Sequence, residues 1–87
     1  MLFETGKIFV TPGVLAKISG NDIMKALRRH IYGDWGDLDD EDKAENEFSV
    51  ENGHRILSSH TSSNGIKFWV ITEADMSATT VLLPEEY

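Results

Sequence analysis

The chain has 87 residues, no cysteine, and fifteen Asp and Glu against eight Lys and Arg, a net charge of −7 at pH 7. That length makes a single domain, residues 1-87, near the lower limit for an independent core, and the missing thiols exclude disulfides and thiolate zinc sites. The acid excess disfavours direct contact with nucleic-acid phosphates or an anionic membrane and points to a protein partner with basic surface.

The opening "MLFETGKIFV" lacks the basic start and long apolar stretch of a signal peptide. No apolar run nears the roughly 20 residues that a bilayer span needs, so a cytoplasmic location is expected. "KIFV" reads as a short strand leading into a brief helix, with Thr11 as cap, Pro12 at the first helical position and Val10 stapled onto Leu15. After Ser19-Gly20-Asn21, Ile23, Leu27 and Ile31 recur at four-residue spacing beside Met24, an amphipathic helix that stops at Gly33.

"GDWGDLDDEDKAENE", Gly33 to Glu47, concentrates acid. Asp39 suits the cap of a third helix, with Ala44 and Phe48 as a narrow apolar stripe and Asn52-Gly53 as its end. The run fails as an EF-hand loop. Counted from Asp37, Asp42 stands where Gly is required and Phe48 where the bidentate Glu is required. Carboxylates at a helix start complement its dipole, which explains the run as a solvated helix opening. A second reading makes Asp37, Asp39, Asp40, Glu41 and Asp42 an acidic surface that mimics DNA phosphates toward a basic partner. Trp35, between two glycines, is either a core plug or an exposed contact residue.

From Arg55 the texture turns to β. "RILSSHT", Ser-Ser-Asn-Gly and "IKFWVITE" predict a hairpin, and a two-residue type I′ turn at Asn64-Gly65 pairs Ser63 with Ile66, His60 with Trp69 and Ser58 with Ile71. "TTVLLP" adds a strand on the other side of Phe68–Glu73. The expected fold class is α+β: a three- or four-stranded antiparallel sheet, built as a C-terminal meander and packed with two or three N-terminal helices. Both hairpin faces carry large apolar groups, so one is expected under the helices and the other under the N-terminal segment or a second subunit.

The three imidazoles lack the spacing of a helical metal site. His30 near a helix end suits capping, and His60 suits stacking on Trp69. Arg55, Glu73, Asp75 and Ser77, with Ser58 on the neighbouring strand, fall at a sheet end where groups can converge on a ligand. They form either a polar binding pocket or an ion-paired turn. No nucleophile elbow or Gly-rich oxyanion loop is visible, and no residue pattern requires a cofactor or a metal. The first reading is a non-enzymatic binding protein, with a minimal enzyme kept as part of the alternative.

At "GDWGDLDDEDKAEN", "RILSSH" and "FWVITEADMSATTVLLPEEY" the chain resembles a family of small uncharacterised proteins of plasmids, phages and integrated mobile elements. Members are often labelled plasmid-related or type I restriction subunit M. The resemblance runs from "TPGVLAKI" to Tyr87, but the Arg that usually follows "TEAD" is Met76 here. It implies an accessory protein of mobile DNA that binds a partner, such as a host restriction or defence component. The restriction label implies little, because neither the Gly-rich cofactor loop nor the Asn-Pro-Pro-Tyr type motif of a methyltransferase is present. The alternative is a small-molecule or nucleotide-signal binder, or a minimal enzyme, with its pocket at the Glu73–Ser77 turn. A homodimer is a further expectation.

Overall fold

Side-chain caps fix where the helices begin in the computed structural model, which describes residues 1–87. Thr11 Oγ1 accepts from the Val14 N–H and opens α1 (Pro12–Lys17), Ser19 Oγ accepts from Asp22 and opens α2 (Gly20–Ile31), and Asp39 Oδ1 accepts from Asp42 and opens α3 (Asp40–Asn52). Each satisfies an N–H that has no partner within its helix. Gly53, in the left-handed region at φ 69°, closes α3. The strands are β1 (Lys7–Val10), β2 (Ile56–Thr61), β3 (Lys67–Thr72) and β4 (Ala78–Leu82), followed by a 3₁₀ turn at Pro84–Glu86. The fold is α+β, with the strand-rich half C-terminal.

The four strands form one sheet in the order β1-β4-β3-β2. β3 is central to the predicted meander, with β2 and β4 antiparallel on either side. The sheet is nevertheless mixed, not purely antiparallel, because β1 joins β4 in parallel. Three helices and two strands separate β1 from β4 in the chain, so no tight turn dictates their relative direction.

The hairpin register differs from the expected one by a single residue. Ser58 pairs with Val70, Ser59 with Trp69 and His60 with Phe68. The Gly65 N–H donates to Ser62 O, the Ser62 N–H to Ile66 O, and Gly65 has φ 82°. The loop is thus three residues long, a turn followed by a left-handed glycine, where Asn-Gly alone suggested two. Since side chains alternate, the slip exchanges the two faces of one strand relative to the other. Ser58 and His60 therefore share a face with Phe68 and Val70 rather than with Trp69 and Ile71.

That face carries the core. Val14, Ile18, Ile23, Ala26 and Leu27 from α1 and α2 pack on Phe68, Val70, Val81 and Leu83. A second cluster joins Phe3, Trp35 and Ile56. The N-terminal segment consequently lies with Trp35 on the helix side and does not cover the opposite face, where Trp69 meets Tyr87 edge-on. Two smaller expectations also change. Leu15 is exposed while Val14 takes the core position, and Ala44 and Phe48 are exposed while Asn46 is the buried residue of α3.

Candidate functional site

His30 lies on the buried face of α2, seven residues after Ile23, so it does not cap the helix end. Its Nε2 contacts Thr72 Oγ1 at 2.9 Å and its Nδ1 contacts Ser58 Oγ at 2.6 Å, while Ser58 Oγ lies 2.8 Å from His60 Nε2. Thr72 Oγ1 is 2.7 Å from Thr79 Oγ1, which donates to the Thr5 carbonyl. The carbonyl can only accept, and this orders every proton in the chain. Thr79 spends its hydrogen on Thr5, so Thr72 donates to Thr79 and must accept from His30 Nε2–H. His30 Nδ1 then accepts from Ser58, and Ser58 accepts from His60 Nε2–H. Hydrogen-bond accounting thereby assigns the same neutral tautomer to both rings.

The chain ends at His60 Nδ1, the one buried side-chain polar atom without a hydrogen-bond partner. Burial pushes the His30 imidazole down to about 3, with His60 adding to the effect. His60 falls to about 4, chiefly through burial and then through the Arg29 charge. A serine between two imidazoles has the parts of a base-activated nucleophile, yet Ser58 and His30 are both fully buried and expose no atom to solvent in this structure. The array joins α2, β2, β3, β4 and the N-terminal segment. His60 lies beside Phe68 at 5.8 Å between ring centroids, not on Trp69.

The residues proposed around the Glu73–Ser77 turn do not gather into one pocket. Arg55 and Glu73 form a loose pair at 4.0 Å, with both side chains about half exposed. Asp75 accepts from the Ser77 N–H within its own turn. Ser58 belongs to the buried array, and Trp35, only 2% exposed, is a plug whose indole N–H donates to Glu47. Arg55 instead lies 4.9 Å over the Tyr87 ring and lines a cleft of about 310 Å³ with Asn46, Ser49, Asp42 and Glu45. Asn46 and Tyr87 escaped sequence reasoning. A polar residue in a helix without an apolar stripe was the available signal for Asn46; Tyr87 offered none.

The acid run divides into two parts. Asp34 receives two bonds from the Arg29 guanidinium, at 2.8 and 3.1 Å, which hold its carboxyl below the usual range. Asp37 accepts from Thr61 Oγ1 and Asp39 caps α3. These residues attach the segment to the edge of β2, where the Ser59 backbone accepts from the Asp37 N–H and donates to Trp35 O. The second part, Asp40, Glu41, Asp42, Glu45 and Glu51, is exposed along α3 and takes part in no ion pair. No three His, Asp or Glu side chains converge as a metal site, and no helix is long and apolar enough to cross a membrane. Comparisons with protein-family models, curated proteins and solved structures gave no match.

Proposed function

We propose that the protein is a non-enzymatic binding module whose α3 face docks on a basic partner, and that the partner is a DNA-handling protein whose phosphate-binding surface α3 occupies. The observation that carries this reading is the excess negative charge of α3, six carboxylates against Lys43 alone. Glu41 and Glu45 stand at i,i+4, an arrangement that destabilises a helix. Glu51 lies in the last turn, which holds no basic residue and where the dipole disfavours an anion. A helix opening alone requires only Asp39 to Asp42. The further carboxylates make sense as a surface completed by a cationic partner, which they would steer and orient. Placement in mobile DNA, with a host restriction or defence component as that partner in the cytoplasm, rests on the resemblance of "GDWGD", "RILSSH" and "TEAD" described above.

The test is affinity capture from host cells, with the wild-type chain and a D40N/E41Q/D42N/E45Q variant as baits. The expected result is a basic DNA-binding protein held by the wild type, released by competing duplex DNA and missed by the variant. Capture that is equal on both baits and insensitive to DNA contradicts the reading. A second reading, a small-molecule binder, is favoured by the Arg55–Tyr87 cleft, where a guanidinium stacked on an aromatic ring stands beside the Asn46 amide. This moves the site from the Glu73–Ser77 turn to the mouth between α3 and β2. Ligand carried through purification and lost in Arg55→Ala is its expected sign.

A further inference from the structure

β1 is an edge strand, and its outer side is bare. Lys7 N–H donates to Ser77 O and Thr11 N–H to Val81 O, so the backbone groups of Lys7, Phe9 and Thr11 turn toward β4. By alternation, those of Ile8 and Val10 turn outward with no partner strand. Beside this edge a groove of about 470 Å³ runs between β1 and α2. Met1, Ile8, Met24 and Tyr32 line it at 49–69% exposure, and Phe9, 52% exposed, stands on the other face of the same edge. Apolar side chains thus flank the open backbone on both faces.

We infer that this edge is the interface of a two-fold homodimer in which β1 pairs antiparallel with β1 of a second copy, joining two four-stranded sheets into one of eight strands. The register follows from the outward groups. Only a two-fold through Phe9 sets both outward residues of one copy against both of the other, Ile8 against Val10 and Val10 against Ile8, each pair exchanging two hydrogen bonds. Phe9 then faces its own counterpart. Lys7 falls opposite Thr11, so no like charges meet.

Area and charge both favour a second copy as the occupant. Five half-exposed large side chains offer roughly 500 Å² per copy before the edge backbone is counted, approaching the roughly 600–1,000 Å² per partner of specific interfaces. Arg28 is the sole charged residue of the groove lining, in a chain of net charge −7. α3 packs by β2 at the opposite edge, about 14 Å or three strand spacings away, so the two acidic faces lie farther apart than the ~8 Å screening length. The dimer would present one α3 at each end. This inference is independent of what α3 binds.

The experiment exploits the absence of cysteine. Across the two-fold, two residues at position 9 form a non-hydrogen-bonded pair with Cα atoms about 4.5 Å apart, within disulfide reach. Sedimentation equilibrium of the wild type should give twice the 9.8 kDa chain mass. Phe9→Cys should oxidise in air to a covalent dimer, while Leu15→Cys, still more exposed but on α1, should remain largely monomeric. Phe9→Lys, a substitution at an exposed position, should keep the wild-type circular dichroism spectrum and sediment as a monomer. A monomeric wild type at about 100 µM, or equal cross-linking of Phe9→Cys and Leu15→Cys, overturns the inference. So does a monomer whose β1 edge takes up only a foreign peptide.

Discussion

Gly36 shows how one residue can be required by its surroundings on two counts. Its φ of 71° lies in the left-handed region, and an added Cβ would stand 1.9 Å from Ser59 O, a backbone atom in the strand it pairs with. Gly36→Ala is expected to destabilise by about 3 kcal/mol or more, measured by denaturant unfolding, because strain and a clash with backbone act together. The imidazoles set a pH dependence. Both titrate near 6.5 in the unfolded chain and at about 3 and about 4 in the folded one, so over that interval the unfolded chain binds more protons. Above pH 6.5 their contribution is complete; as pH falls from 6.5 toward 4 it is lost, by an amount on the order of a few kcal/mol. Thermal melts from pH 7.5 to 4.5 should show this decline, and a double substitution of His30 and His60 by Gln should flatten it. Little of this was legible beforehand. The spacing of Ile23, Leu27 and Ile31 put hydrophobic residues on one face of α2, but a histidine seven residues after Ile23 reads as a helix-end cation unless its hydroxyl partners on distant strands are known.

At the level of elements, the edge of β2 is closed by two different means. The segment Trp35–Asp37 lies beside Ser59 as an abbreviated fifth strand, and the Asn46 amide both donates to Leu57 O and accepts from the Leu57 N–H. An edge so covered no longer offers pairing to another chain, unlike β1. Asn46→Ala leaves both Leu57 groups without their partner and should cost about 1–3 kcal/mol, with faster hydrogen exchange at Leu57 than at Val70. Asn46→Asp, which keeps an acceptor but loses the donor, should recover only part of that loss. Most element boundaries were readable because they rest on local chemistry: Thr11-Pro12 and Asp39 start helices wherever the tertiary structure places them, while Ser19-Gly20-Asn21 read only as a break and its Ser19 proves to be the cap of α2. The hairpin register was not. Asn64-Gly65 marks a turn, but whether the left-handed Gly65 belongs to a two- or three-residue loop depends on Ser62, whose hydroxyl accepts from the Ile66 N–H. The stripe of α3 failed for a related reason. Its packing is polar, through Asn46, and hydrophobic periodicity carries no signal for an amide against a strand edge.

In the whole molecule, charge and apolar surface lie at opposite ends of one sheet. The β2 edge is capped and acidic; the β1 edge is open, and the groove beside it is apolar and lined by no carboxylate. Composition foretold the acid excess and its position in the chain, and the spacing of the caps made it a helix. Its separation from the apolar edge is a property of the strand order, which follows from β1 joining β4 and has no local sequence signature. Glu45 and Glu51, beyond the first turn of α3, act against the helix that bears them, whereas Asp40, Glu41 and Asp42 complement its dipole, so neutralising both kinds together should leave the fold about as stable. The D40N/E41Q/D42N/E45Q variant is expected to melt within a few degrees of the wild type, since exposed charges contribute little to stability and the lost dipole complement is offset by relief of repulsion. Binding should respond differently. The most direct measurement is a calorimetric titration of the captured partner with wild type and this variant, from about 0.05 M to about 0.5 M salt. The predicted result is an affinity that falls steeply with salt for the wild type, and at low salt is at least about 10-fold weaker, or about 1.4 kcal/mol, for the variant. Equal affinities with the same shallow salt dependence would contradict an acidic docking helix.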